Sequence, residues 1–295
     1  MSEQSKCGFV SIVGRANVGK STLFNKLLGE QYSVTTHKPH TTRNNIRGVL
    51  SLEQCQLILI DTPGVQLSNR RLMHRVMLSN ALSSLQEVDV VMMLVEPHVW
   101  NREDAYLLEQ ISQIRCSVLL VINKVDKIKD KSELLPIIEG LKLQHAFDSI
   151  VPMSALRDTE LTGLTKELCK LSPRSEFLFP RDMKWDRDDA FAIAEIVRGV
   201  AMVQLQKELP YVLYTEVETL EFTERLVTVS VIIWVEKDSQ KPIVIGKKGA
   251  RLKSIGGQAR VRLERIFRKK VMLSTWVKVK QNWQDQQAIV SQFKY

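Results

Sequence analysis

No apolar run in this 295-residue chain is long enough to cross a membrane. Stretches such as Val88–Val95 carry a charge of their own, Asp89, and fall far short of the roughly 18 apolar residues a membrane helix needs. Low-complexity tracts are absent, and 44% apolar with 25% charged residues is the balance of an ordinary folded chain. The N-terminal MSEQSKCGFV has neither an apolar core with a cleavage site nor an Arg-rich amphipathic pattern, so a cytoplasmic location is expected. Cysteines are few: Cys7, Cys55, Cys116 and Cys169 lie far apart, none at zinc-ligand spacing. They read as separate buried thiols of a reducing compartment. His37 and His40 lack a second pair of ligands nearby and read as polar loop residues rather than a metal site. Acids are the last scarcity. Between Lys241 and Lys270 stand eleven basic residues and a single acid, Glu264. Residues 181–295 hold 21 Lys+Arg against 14 Asp+Glu, which is most of the chain's net +9. A solvated helix face usually mixes signs, so this half favours a polyanionic partner.

The length fits two domains. Up to about Leu171, apolar strand-like segments (Gly8–Val13, Ile46–Leu52, Gln56–Ile60, Asp89–Val95, Ser117–Ile122, Ser149–Pro152) alternate with amphipathic stretches (Arg70–Leu85, Glu103–Ile114, Ser132–His145). That alternation predicts an α/β domain with a mostly parallel six-stranded sheet covered on both faces, the second and third strands forming an antiparallel edge hairpin. Prolines and mixed charges in LSPRSEFLFPRDMKWDRDD break the periodicity. The expected division is therefore 1–172, a linker over 173–186, and an α+β domain with a tail over 187–295. In the latter, a helix (Asp188–Lys207), two strands (Val212–Leu220, Leu226–Glu236), a short apolar turn, a basic helix (Ala250–Arg268) and a strand (Val271–Val279) give the order α-β-β-α-α-β.

Gly14-Arg15-Ala16-Asn17-Val18-Gly19-Lys20-Ser21, followed by Thr22, fits the phosphate-loop pattern G-x-x-x-x-G-K-[ST] between a strand and a helix. Backbone N–H groups from Asn17 to Ser21 would curl around phosphate at the helix N-terminus. Lys20 would reach the β- and γ-phosphates, and the Ser21 hydroxyl would ligate Mg²⁺. Asp61-Thr62-Pro63-Gly64 ends a strand, placing Asp61 near the same metal and the Gly64 N–H near the γ-phosphate. Asn123-Lys124-Val125-Asp126 ends another, and there the Asp126 carboxylate can accept from guanine N1–H and N2–H, which adenine does not offer. Ser154-Ala155 follows the last strand and would offer a backbone N–H to guanine O6. All four elements stand at strand C-terminal ends, where open α/β sheets bind ligands.

These residues resemble the Ras-like GTPases of the translation-factor-related class: GRANVGKST, HTTRN, DTPG, NKVD and SA stand in that order. The resemblance makes Thr42, rather than Thr41, the switch-I threonine on Mg²⁺; Lys20, Thr42 and Gly64 become the candidate catalytic groups. Where many relatives place a water-orienting Gln directly after the DxxG glycine, this chain has Val65, with Gln66 one position late. Slow intrinsic hydrolysis is expected. Asn17 either holds a K⁺ near the β/γ bridge, as the loop Asn of related GTPases does, or braces the loop.

In the basic half, Gly246-Lys247-Lys248-Gly249 lies between an apolar segment and a helix, the setting of a KH loop that clamps about four nucleotides. Ile245, Gly246, Lys247, Lys248, Gly249, Ala250, Arg251 and Lys253 are the candidate RNA contacts, with Ile243 and Ile255 as further groove-floor candidates that core packing would also explain. The alternative is a helix–turn–helix with a basic solvent face. Trp276 and Trp283 are expected to pack inward.

The element order matches a type II KH domain, and a Ras-like domain followed by one resembles the Era family of GTPases over essentially the whole chain, including YSVTTHKPHTTRNNIRG, ELPYV, VIGKKGARLKSIG and WVKVKQNW. Ala16 replaces the usual Pro and Leu156 the usual Glu or Lys; both positions contribute main chain. The resemblance implies a monomeric GTP/GDP- and Mg²⁺-dependent switch that binds 16S rRNA near its 3′ end and helps mature the 30S subunit. GTP would set the placement of the two domains through the switch segments (the second roughly Val65–Arg75). Peripheral contact with the cytoplasmic face of the inner membrane is also implied. The competing readings are a membrane-surface or signalling GTPase docking its basic domain on anionic lipid, and an RNA-binding module with a degenerate nucleotide site, against which Lys20, Ser21, Asp61 and Asp126 argue.

Overall fold

A computed structural model describes residues 5–30, 32–35, 42–67, 72–86, 88–184 and 189–286. His37, His40 and Thr41 lie outside the described residues. Contacts divide the chain into two units; of the described residues, the first holds 5–33 and 42–184, the second 189–286 with Val34 and Thr35.

The first unit is a six-stranded sheet in the order β2-β3-β1-β4-β5-β6, from β1 (Lys6–Val13), β2 (Ile46–Ser51), β3 (Cys55–Asp61), β4 (Val90–Val95), β5 (Ser117–Ile122) and β6 (Ser149–Pro152). Only β2 runs antiparallel, paired with β3 in the expected hairpin. All residues of β3 and β4 are buried. Strands covered on both faces lose the apolar–polar alternation, which is why VVMMLV reads as a continuous apolar run. Around the sheet pack α1 (Lys20–Leu28), α2 (Leu72–Ser83), α3 (Arg102–Ser112), α4 (Leu134–Lys142) and α5 (Thr162–Leu171). β1 is flanked by β3 on one side and by β4 on the other, so the crevice of this sheet opens beside the end of β1.

One expectation is corrected here. Cys55 and Cys169 are not separate thiols: they form a disulfide across 114 residues, their Cα atoms 6.0 Å apart, while Cys7 and Cys116 are free. The packing of α5 on β1 and β3 brings them together, a proximity that sequence spacing hides. The segment after α5 is also laced to the sheet. The Gln56 side chain accepts from the N–H of Leu178 and of Phe179 and donates to the Phe179 carbonyl, and Val49 N–H donates to Lys184 O.

The second unit is a three-stranded sheet of β7 (Tyr214–Phe222), β8 (Leu226–Val235) and β9 (Lys270–Val279), antiparallel then parallel. α6 (Asp189–Gln204) and α9 (Ala250–Phe267) pack against it over a core of Val227, Val229, Val231, Ile233, Ile255 and Leu263. Between β8 and α9 the apolar turn is a short helix, α8 (Lys241–Ile245), and Leu209–Val212, begun by Pro210, forms the short helix α7 before β7. Trp283 packs inward, fully buried, its Nε1 donating to Val212 O at 2.8 Å. Trp276 does not: on β9 Val277 takes the core side, so period-two alternation turns Trp276 outward, 55% exposed. Ile255 sits in the core and cannot floor a groove.

Candidate functional site

The first site grows from the ends of four parallel strands. After β1 the chain curls through Gly14–Gly19 into α1, whose first-turn N–H groups have no intrahelical partner. Gly19 has φ 105°, and a Cβ there would strike the Asn123 side chain, so only glycine closes the loop. Lys20 is buried, its Nζ donating to the Gly14 and Arg15 carbonyls at 3.0 and 2.9 Å. Burial pushes its ammonium down to about 8, against the opposing pull of Asp61. Val18 is buried, Asn17 is exposed, and Thr22 is half-buried.

Ser21, Thr42 and Asp61 converge although 40 residues separate the first from the last. Ser21 Oγ and Thr42 Oγ1 are 2.8 Å apart, and Thr42 Oγ1 donates to Asp61 Oδ2 at 3.4 Å. Ser33, which the sequence did not mark, donates to the same oxygen at 2.7 Å. Asp61 is wholly buried and its Oδ1 has no hydrogen-bond partner. Burial pushes its carboxyl up; the Ser21 and Ser33 hydroxyls and the Lys20 charge pull it back. Two hydroxyls and a carboxylate with a spare buried oxygen are hard oxygen donors of the kind Mg²⁺ takes. Thr62 and Pro63 are buried, Thr62 Oγ1 donating to Ile12 O at 2.8 Å. A Cβ on Gly64 would lie 2.6 Å from Ala16 Cα, so the two loops meet backbone to backbone. Val65 N–H donates to Gly14 O and its apolar side chain joins the core, so this side chain does not orient water.

At the ends of β5 and β6 the roles divide. Asn123 is buried and structural: its Nδ2 donates to Val18 O at 2.6 Å, and its Oδ1 accepts from Ala155 N at 2.8 Å. It ties the phosphate loop to the last motif. Asp126 is exposed, with Ser154 Oγ donating to its Oδ1 at 2.6 Å, which fixes the carboxylate. Val125 N–H donates to Met153 O. Lys124 reaches back to Asn17 O at 2.6 Å and pairs with Glu96 at 2.7 Å. Glu96 and Asp104 are site residues the sequence reading missed. Glu96 directly follows β4 at the same sheet edge, a legible signal. Asp104 pairs with Arg15 at 3.0 Å and closes the capping box of α3 with Asn101. Burial pushes Asp104 up to about 6 despite the Arg15 charge.

The second site is the turn from α8 to α9. Lys248 has φ 51° in the left-handed region, and Lys247, Lys248, Ala250 and Lys253 are exposed. Ile245, Gly246 and Gly249 are half-buried, and Arg251 folds back so that its Nη1 donates to Ile243 O at 2.5 Å. Arg251 thus braces the loop rather than projecting from it.

A model of the 50S ribosome-binding GTPase family matches residues 9–124, and a KH-domain model matches 208–284. The GTPase Era of Coxiella burnetii (strain Dugway 5J108-111) is 43% identical over 289 residues, 98% of each chain. The GTPase Era of Marinobacter nauticus is 44% identical over 282 residues, 96% of this chain and 92% of the relative. Among solved structures, an Aquifex aeolicus Era variant bound to GDP·AlF4⁻ superposes with TM-score 0.93 at 36% identity, covering 98% of both chains. Era in complex with MgGDPNP and nucleotides 1506–1542 of 16S ribosomal RNA matches equally, at TM-score 0.93 and 36% identity over 98% of both chains.

Proposed function

This chain belongs to the Era family of GTPases, and from that premise we propose that it couples GTP hydrolysis to binding of 16S rRNA near its 3′ end during assembly of the 30S subunit in the cytoplasm. The observation that carries the reading is that one chain holds both a guanine-reading phosphate site and an exposed lysine pair at a KH turn. The RNA held by a solved relative supports the choice of partner.

For the chemistry, Lys20 and the amides of Asn17 to Ser21 hold the β- and γ-phosphates, and Asp126 selects guanine. Ser21, Thr42 and Asp61 would hold Mg²⁺, which when bound neutralises charge developing on the phosphates. Release of Lys20 from the Gly14 and Arg15 carbonyls to the phosphate exchanges two neutral acceptors for an anionic one, which strengthens the bond. With Val65 in the core, the unaided rate is slow. A K⁺ at Asn17 is part of the proposal: turnover should fall at least tenfold when Na⁺ replaces K⁺ at constant ionic strength, and equal rates in the two salts would remove the ion from the scheme.

The test of the whole reading is GTP turnover with and without a short single-stranded RNA copying the 16S rRNA 3′ end, in the parent and in a Lys247→Asp/Lys248→Asp variant. RNA is expected to bind the parent in a salt-sensitive manner and accelerate turnover, and the variant should lose both effects while keeping its RNA-free rate. An RNA that neither binds nor changes turnover leaves a GTPase and sinks the RNA partnership.

A further inference from the structure

The cations of the second unit extend well beyond the glycine loop. α9 carries Lys253, Arg260 and Arg265 exposed, and exposed Arg268 caps its C-terminal end, about 22 Å along the axis from Lys253. At its far end, an open cavity of about 490 Å³ is lined by Glu224, Arg225, Glu264, Arg268, Lys269 and Lys270. These residues come from three places: the β7–β8 turn, the last turns of α9, and the start of β9. Glu264 is spent on the backbone, accepting from Val271 N–H at 3.3 Å, and Lys269 Nζ donates to Thr223 O at 3.0 Å. Among the described residues, no ion pair joins Arg225, Arg268 or Lys270 to an acid.

The helix dipole accounts for cations in the last turn of α9. It does not account for Arg225 and Lys270, which face the same cavity from a turn and a strand. Four cations outnumber the two carboxylates, Glu224 and Glu264, around this cleft, and an anion entering it relieves the repulsion that remains. The cleft is joined to the glycine loop by the exposed cations of α9, so the anion that fits both is a continuous polyanion.

We propose that this cavity is a second RNA-backbone site, holding phosphates of the segment that flanks the nucleotides at Gly246–Gly249. The proposal rests on the RNA-binding reading above and adds a footprint to it. The test uses the full chain and two single-stranded RNAs sharing one sequence, of about six and about sixteen nucleotides, the shorter filling little more than the four-nucleotide loop site. Affinities are measured by fluorescence anisotropy over a salt series. The parent should bind the longer RNA more tightly. An Arg225→Glu/Arg268→Glu variant should bind the short RNA as the parent does and the long RNA about tenfold more weakly. Its salt slope should fall by about 1.4, at roughly 0.7 per single-strand phosphate contact. The neutral Arg225→Gln/Arg268→Gln variant should lose a similar slope with a smaller loss of affinity. Unchanged binding to the short RNA serves as the folding control.

Equal affinity of parent and variant for the long RNA overturns the proposal while leaving the loop site intact. Failure of the parent to bind either RNA overturns the underlying reading with it. Phosphatidylglycerol vesicles form the last arm: a variant that loses vesicle binding but keeps the long RNA assigns the cavity to lipid, against the proposal.

Discussion

Asp126→Asn should weaken GTP binding about a thousandfold, roughly 4 kcal/mol, and make xanthosine triphosphate the preferred nucleotide. Asp126 is exposed, and its orientation comes from Ser154 Oγ, which donates to Oδ1 at 2.6 Å. A carboxylate set this way accepts from guanine N1–H and N2–H together. The amide of Asn turns one acceptor into a donor, so donor faces donor at guanine N2 and both groups lose their partners on desolvation. Xanthine carries a carbonyl where guanine has its N2 amine, and it restores the pair. Because the side chain is at the surface, the melting temperature should stay close to the parent's. Competition of labelled GTP against GTP, XTP and ATP reads the result directly. Parent-like GTP affinity in the variant would mean that Asp126 does not read the base.

Lys20→Met should lower affinity for guanosine triphosphate at least a hundredfold and abolish turnover, yet leave the nucleotide-free protein as stable as the parent or more so. Lys20 is 6% exposed and, among the described residues, donates to two carbonyls, a poor exchange for the hydration of an ammonium. Its proton is held less tightly in the folded state, at about 8, than in the unfolded chain, at about 10.5. Below pH 8 both states are protonated and the penalty is complete. Between pH 8 and 10.5 the unfolded chain binds more protons, so stability should rise with pH, by about 3 kcal/mol in total. The Met variant lacks that rise. Urea unfolding of the nucleotide-free proteins at pH 7.5 and 9.5 measures the difference. A parent curve that is flat across this window, or a variant that still binds the triphosphate, contradicts the account.

The two substitutions differ in how their sites were legible. The Lys20 loop and the Asp126 motif are contiguous in sequence, and contiguous motifs need only their own backbone geometry to be recognised. Glu96 was within reach as an acid directly after a buried strand, at the edge where the other motifs end. Ser33 and Asp104 were not, because each meets its partner across a separation that only packing sets: 28 residues to Asp61, and from α3 back to Arg15. The Cys55–Cys169 disulfide is the same case at 114 residues. Trp276 went the other way, since the rule that strand aromatics pack inward ignores which side of β9 faces α9.

The amino-acid sequence by itself determined the α/β domain followed by a type II KH domain, the phosphate and base motifs, and the concentration of positive charge in residues 241–270. These follow from local spacing, from strand and helix periodicity, and from composition, none of which needs a partner distant in the chain. The tertiary structure alone decided that Ser33 joins Ser21 and Thr42 on Asp61, that Asn123 ties the phosphate loop to the last motif, and that Arg225, Arg268 and Lys270 surround one cavity. Each of those depends on sheet order and helix packing, which bring side chains together in space without leaving a pattern along the chain.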